Sequence, residues 1–148
     1  MRVVLEFVNL FCVGILAGTE FVVRLGVRAP ITVLAEQPQI QLRQALIRRL
    51  RVVVPAVFGA TVLSTVAVTV ADGTGAVRLV GIAAVVAWTL VTFTGTVPIN
   101  KATLTWRPDA PPHDWRVLVR RWERLDTARA VAATTAFAFF LTAVAVRH

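Results

Sequence analysis

The chain has 148 residues, one domain's worth, but 57% hydrophobic residues and a mean hydropathy of +0.72 lie far above a soluble globular composition. Sixteen Lys and Arg against eight acids give a formal charge of +8. The basic residues cluster beside apolar runs, so they read as orientation signals and contacts to anionic lipid headgroups, with no nucleic acid as partner. The single cysteine, Cys12, excludes an intrachain disulfide, and His113 and His148 supply no metal-ligand spacing.

Met1-Arg2 followed by Val3 to Ala17 has the outline of a signal peptide. However, Arg2, Glu6, Asn9, Val13, Glu20 and Arg24 share one helical face that runs past any cleavage point, so residues 3–25 are predicted to be a retained first span. Gly14 and Gly18 form a small-xxx-small pair suited to close helix packing. Residues 26–38, with Pro30 and Pro38, read as a connection near the interface. A helix of about 45 Å is predicted from Gln39 to Thr69, charged in its first half and apolar in its second, with Gln37, Gln41, Gln44, Arg48 and Arg51 on one face and a kink at Pro55.

Residues 71–75 form a turn, and Arg78 opens a third span. From Leu79 to Ile99 there is no charge, a run long enough to cross a hydrocarbon core of roughly 30 Å. Thr89, Thr92, Thr96 and Asn100 recur at helical spacing as a polar stripe that should face protein, ending at Val97-Pro98-Ile99-Asn100. Residues 107–114 are loop, with Asp114 as N-cap of a last helix from Trp115 to about Val146. Its inward side by spacing is Trp115, Leu118, Trp122, Leu125, Asp126 and Arg129, away from Arg116, Arg120 and Arg124.

The predicted fold is therefore an all-α membrane protein, an up-down four-helix bundle in a single domain with spans near 3–25, 52–70, 78–99 and 129–147 and two long helices protruding on the cytoplasmic side. Thirteen basic residues lie between spans one and two or three and four, and three (Arg2, Arg78, Arg147) lie on the other side. Positive-inside then puts both termini outside, in a plasma membrane of bacterial type.

Depth along each helix brings Glu20 and Arg24, Arg48 and Arg51, Thr96 and Asn100, and Asp126 and Arg129 to one cytoplasmic-side level, with Trp122 among them. Ionisable groups inside spans are costly and mark sites. Plainer readings stand beside this one. Arg24, Arg48, Arg49 and Arg51 read also as snorkelling arginines. Trp106, Trp115 and Trp122 read also as an aromatic belt, Asp126 with Arg129 as a structural i,i+3 pair, and Thr89 and Thr92 as bonding their own backbone. Glu6 reads as structural.

The chain resembles the anthrone oxygenase-like family of small four-span membrane proteins. The residues that carry the resemblance are Ala17-Gly18-Thr19-Glu20-Phe21, then Val97-Pro98-Ile99-Asn100 with Leu104 and Trp106, and Asp114-Trp115 followed by Arg121-Trp122 and Arg129. Many relatives carry His or Asn where this chain has Leu125-Asp126, a departure that weighs against histidine-based chemistry. The resemblance implies oxidation of a lipophilic polycyclic aromatic polyketide, anthrone to anthraquinone, by molecular oxygen with no metal or flavin cofactor. On that reading Glu20 or Asp126 is the base, Arg129 and Arg48 hold anionic oxygens, Asn100 donates to a carbonyl, Thr96 lines the pocket and Trp122 stacks on the rings.

Two other classes stay open: a small proton-coupled transporter using Glu20, and a noncatalytic scaffold subunit whose basic helices dock an acidic partner or anionic lipid. A homo-oligomer is among the partners the sequence allows.

Overall fold

The computed structural model describes residues 1–146; Arg147, counted above with the outer basic residues, and His148 lie outside the described residues. The described chain is helical apart from residue 1, short turns at 33–35, 73–75 and 106–114, and a turn at 146. The helices are α1 (Arg2–Val22), α2 (Arg28–Thr32), α3 (Glu36–Asp72), α4 (Ala76–Val91), α5 (Val97–Thr105) and α6 (Trp115–Ala145). A π turn at Val23–Val27 joins α1 to α2, and another at Thr92–Thr96 joins α4 to α5, so the chain makes four rods. Each rod is long and apolar enough to cross a bilayer: Arg2–Thr32, Glu36–Asp72, Ala76–Thr105 and Trp115–Ala145. This is an all-helical bundle of the integral membrane type.

Two predicted boundaries move, for one physical reason. The first rod runs past residue 25 and through Pro30 to Thr32, and the third past Ile99 and through Pro98 to Thr105. A proline lacks an N–H and crowds the carbonyl four residues back, which normally bends or ends a helix. Here each proline follows a π turn, in which Arg28 N–H reaches Val23 O and Val97 N–H reaches Thr92 O, five residues back. The widened turn absorbs the misfit and the rod continues. Residues 26–32 are thus helix, and only 33–35 link the first two rods.

α1 packs beside α3 and α6, and α6 beside α4, while α3 and α4, joined by a short turn, touch through side chains such as Phe58 on Trp88. Outward faces carry exposed aliphatics and phenylalanines such as Val4, Phe7, Phe11, Leu63 and Val86, while the interior holds much of the polar inventory. That inversion suits a lipid surround. Two apolar clusters fill the middle, Val13, Ala84, Val85, Ala136 and Phe140 in one and Leu16, Trp88 and Ala133 in the other. At the end bearing the N-terminus, Arg78 lies 3.6 Å from Glu6 and 3.4 Å from Asp72, and Asn9 donates to Thr65 Oγ1 at 3.0 Å.

Close packing depends on glycine at particular points. Gly14 faces the Phe137 ring, but Gly18 meets nothing, so the two are not one contact. A Cβ at Gly81 would lie 3.1–3.3 Å from the Phe140 ring, itself buried. Gly81→Ala is expected to cost about 1–3 kcal/mol in thermal unfolding in detergent, as overpacking does, while Gly18→Ala, in open space on a helix, does not destabilise.

At the opposite end Trp106 and Trp115 are buried against Ile40, with Leu118 and Val119 beside them, and do not form a lipid-facing belt. Gln44 Nε2 donates to Thr103 O and Trp106 O, both at 2.9 Å; Thr103 O also accepts the Trp106 N–H at 3.3 Å, so Trp106 O is the carbonyl that relies on the amide. Gln44→Leu strands the Trp106 carbonyl and is expected to destabilise by about 1–3 kcal/mol, read in the same unfolding assay. Asp114 occupies the N-cap position of α6 through its backbone, without a side-chain cap bond. In the loop, Arg107 donates to Asp109 at 2.8 Å, and this hydrogen bond holds the exposed Asp109 carboxyl below its ordinary pKa.

Candidate functional site

Burial singles out a group of ionisable side chains in mid-bundle. Glu20 of α1 is 3% exposed, Asp126 of α6 is 1% and Arg129 of α6 is 7%. Arg129 Nη2 pairs with Glu20 Oε1, the same oxygen that accepts the indole N–H of Trp88 at 3.1 Å. The Arg129 guanidinium lies over the Trp88 ring, 4.8 Å from its centroid, and Phe58 of α3 stacks on Trp88 at 5.0 Å. All four rods therefore contribute at this level. The partner of Arg129 is Glu20 and not Asp126, so the i,i+3 pairing on α6 is not what neutralises it.

What remains is a carboxylate with spare capacity. Asp126 Oδ2 is buried with no hydrogen-bond partner, as are the indole Nε1 of Trp122 and Nε of Arg129. Trp122, Asp126 and Arg129 recur at steps of four and three residues, so these open valences line one stripe of α6. An unpaired buried polar atom costs about 1–3 kcal/mol, and a stripe of them requires an account. Asp126 lies within electrostatic range of Glu20, Arg129, Arg24 and Arg28. The two π turns fall beside this level, the first starting three residues after Glu20 and the second four after Trp88. Such turns are frequent where a helix is shaped around a site.

A second cluster adjoins the first. Arg28 Nη2 lies 2.8 Å from Glu123 Oε2, and Arg43 Nη2 lies 3.6 Å from Glu123 Oε1. Arg43 is 9% exposed, and its Nε and Nη2 have no hydrogen-bond partner.

Of the remaining sequence candidates, all but Trp122 fall elsewhere or bond their own helix. Arg48 is exposed, with Arg49 and Arg51. The buried face of α3 runs through Gln39, Ile40, Arg43 and Gln44, so of the stripe expected through Gln37, Gln41, Gln44, Arg48 and Arg51 Gln44 is buried and the other four are exposed. Thr96 is fully buried but donates to Thr92 O at 3.1 Å; Thr89 and Thr92 likewise bond their own helix. Asn100 is half-buried, twelve residues beyond Trp88 and so about 18 Å further along the rod, which removes it from the Glu20–Arg129 layer. Trp122 is half-buried on the stripe it was assigned to. Trp88, Phe58, Arg28, Arg43 and Glu123 went unmarked in the sequence. Trp88 alone carried a signal, an indole N–H in mid-span that needs a buried acceptor. Among the described residues no three His, Cys, Asp or Glu side chains come together.

No curated protein and no solved structure matches the chain. A family model described as anthrone oxygenase matches residues 44–139, which takes in all of α4 with Trp88 and α6 as far as residue 139 with Asp126 and Arg129, and leaves out the helix bearing Glu20. That span is more than half of the sequence, and with it the chain belongs to the anthrone oxygenase family.

Proposed function

We propose that this protein is a membrane-embedded, cofactor-independent oxygenase. Its substrate is a lipophilic polycyclic aromatic with an anthrone-like methylene, and its co-substrate is O2. The observation that carries the reading is the Asp126 carboxylate, 1% exposed, with one oxygen unpartnered beside a fixed Glu20–Arg129–Trp88 cluster. Family membership supports oxygenase chemistry, and a buried carboxylate next to arginine is what deprotonation at carbon asks of a protein.

The chemistry balances without further reagents. Asp126 removes one methylene proton, leaving a carbanion delocalised onto the ring carbonyl as an enolate. The enolate passes an electron to O2, and radical and superoxide combine to a C–O bond. The peroxide anion takes back the proton held by Asp126. Asp126 then removes the second proton from the same carbon as the O–O bond breaks, giving the new carbonyl and hydroxide, which becomes water with that proton. One anthrone and one O2 become one anthraquinone and one water.

Arg129 and its neighbours stabilise the enolate oxygen in a site that excludes water, where such interactions are strongest. Trp122 offers a ring to stack on and an indole N–H with no other partner. Glu20 is occupied by Arg129 and Trp88, which supports a fixed structural anion over the exchanging carboxylate of a proton-coupled transporter. The exposed Arg48, Arg49, Arg51, Arg120, Arg121 and Arg124 face an anionic cytoplasmic leaflet, with both termini outside.

The test is anthrone turnover by the purified protein in detergent, under oxygen and under nitrogen, against a detergent blank. Isotope-labelled O2 is expected to appear in the new carbonyl. A rate no higher than the blank would remove the proposal.

A further inference from the structure

The Arg28–Glu123–Arg43 cluster plays no part in the chemistry above, yet Arg43 is buried, Arg28 and Glu123 are half-buried, and the cluster is incompletely paired. Glu123 divides its two oxygens between two arginines, and Arg28 holds the better contact at 2.8 Å. Arg43 Nη2 is left in an ion pair at 3.6 Å, beyond a hydrogen bond, and its Nε has no hydrogen-bond partner. A guanidinium carries five donors that cannot be switched off, so a buried one with open donors is costly unless something accepts from it. The charges point the same way. Arg24, Arg28 and Arg43 face Glu123 and Asp126, three cations against two anions, and Glu20 is already matched by Arg129. When Asp126 holds a substrate proton the imbalance grows.

Position completes the argument. Glu123 precedes Asp126 by three residues of α6, about 4.5 Å of helix rise, so the open donors of Arg43 lie within a fused-ring molecule's length of the base. Trp122, with its free indole N–H, belongs to the same stretch of helix.

We infer that Arg43, held by Glu123 and flanked by Arg28, is an anion-binding subsite that selects aromatic substrates bearing an ionised oxygen, a carboxylate or phenolate, on the ring system away from the reacting methylene. The inference rests on the oxygenase reading only in taking the occupant to be a polycyclic aromatic. Arg43 acts here in binding; it has no part in proton transfer. Planar, charge-assisted contacts from arginine to such oxygens are short and directional, and they discriminate strongly against an uncharged isostere.

The experiment measures binding by quenching of tryptophan fluorescence in a neutral detergent, with an anthracenecarboxylate and the matching uncharged carboxamide as probes. The wild-type protein is expected to prefer the carboxylate by about tenfold. Arg43→Gln should abolish that preference while leaving carboxamide affinity unchanged, and Arg43→Lys should keep part of it. Equal affinities in the wild type, or a preference that survives Arg43→Gln, would overturn the subsite. So would loss of the preference on adding phosphatidylglycerol, since a lipid phosphate would then be the occupant. A protein that keeps the preference but never oxidises anthrone would sink the oxygenase reading and leave the subsite standing.

Discussion

Asp126→Asn is expected to lower anthrone turnover by about 10²–10⁴-fold while the protein stays folded, because the change removes a general base and keeps the shape of its side chain. The fold is expected to tolerate it well. Asp126 Oδ2 has no hydrogen-bond partner to lose, and an amide is easier to bury than a carboxylate. Asp126→Glu should recover part of the rate by restoring a carboxylate slightly displaced. The measurements are turnover against the detergent blank and the thermal unfolding midpoint of each variant. Full turnover in a correctly folded Asp126→Asn protein would move the base elsewhere. Glu20 would then be the next residue to test, although Arg129 and Trp88 already share one of its oxygens.

Arg129→Met is expected to be the most destabilising single change in the bundle, by about 3–5 kcal/mol, because it leaves the Glu20 carboxylate buried with no countercharge. The loss should be larger than that of the aliphatic contacts alone, since Arg129 also covers the Trp88 ring. The paired variant Glu20→Gln with Arg129→Met separates charge from packing. Removing both charges should restore much of the stability, because a matched buried pair is close to neutral against apolar replacements whereas a broken one is not. Unfolding in detergent at fixed micelle concentration reads both. If the double variant were no more stable than Arg129→Met alone, the pair would not be what holds α1 to α6 at this level.

The four-rod architecture was legible in the sequence because it rests on composition and length. An uncharged run such as Leu79 to Ile99 has few other fates, and polar residues on an otherwise apolar helix must turn toward protein. Glu20, Asp126 and Arg129 were legible for the same reason, and all three are buried. The helix boundaries were less so. Pro30 and Pro98 look like stops when read locally, and only the π turns before them, a matter of backbone register, allow the rods to continue.

Which polar side chains meet was decided by the tertiary structure. Along α3 the periodicity supported a stripe through Arg48, yet the face turned inward holds Arg43, because packing against α1 and α6 sets the rotation of a helix whose own polar residues lie nearly all round. Asn100 shares a helix face with Thr96 but stands too far along the rod to join Glu20, and helical spacing reports the angle of a residue without fixing its height relative to another helix. The sequence by itself determined that charged groups are buried inside a membrane bundle, since hydrophobicity and charge are properties of each residue. Their pairing, Glu20 with Arg129 and Trp88, Glu123 with Arg28 and Arg43, and Asp126 with an open oxygen, depends on how rods far apart in the chain rotate and slide against one another, which only the packed bundle specifies.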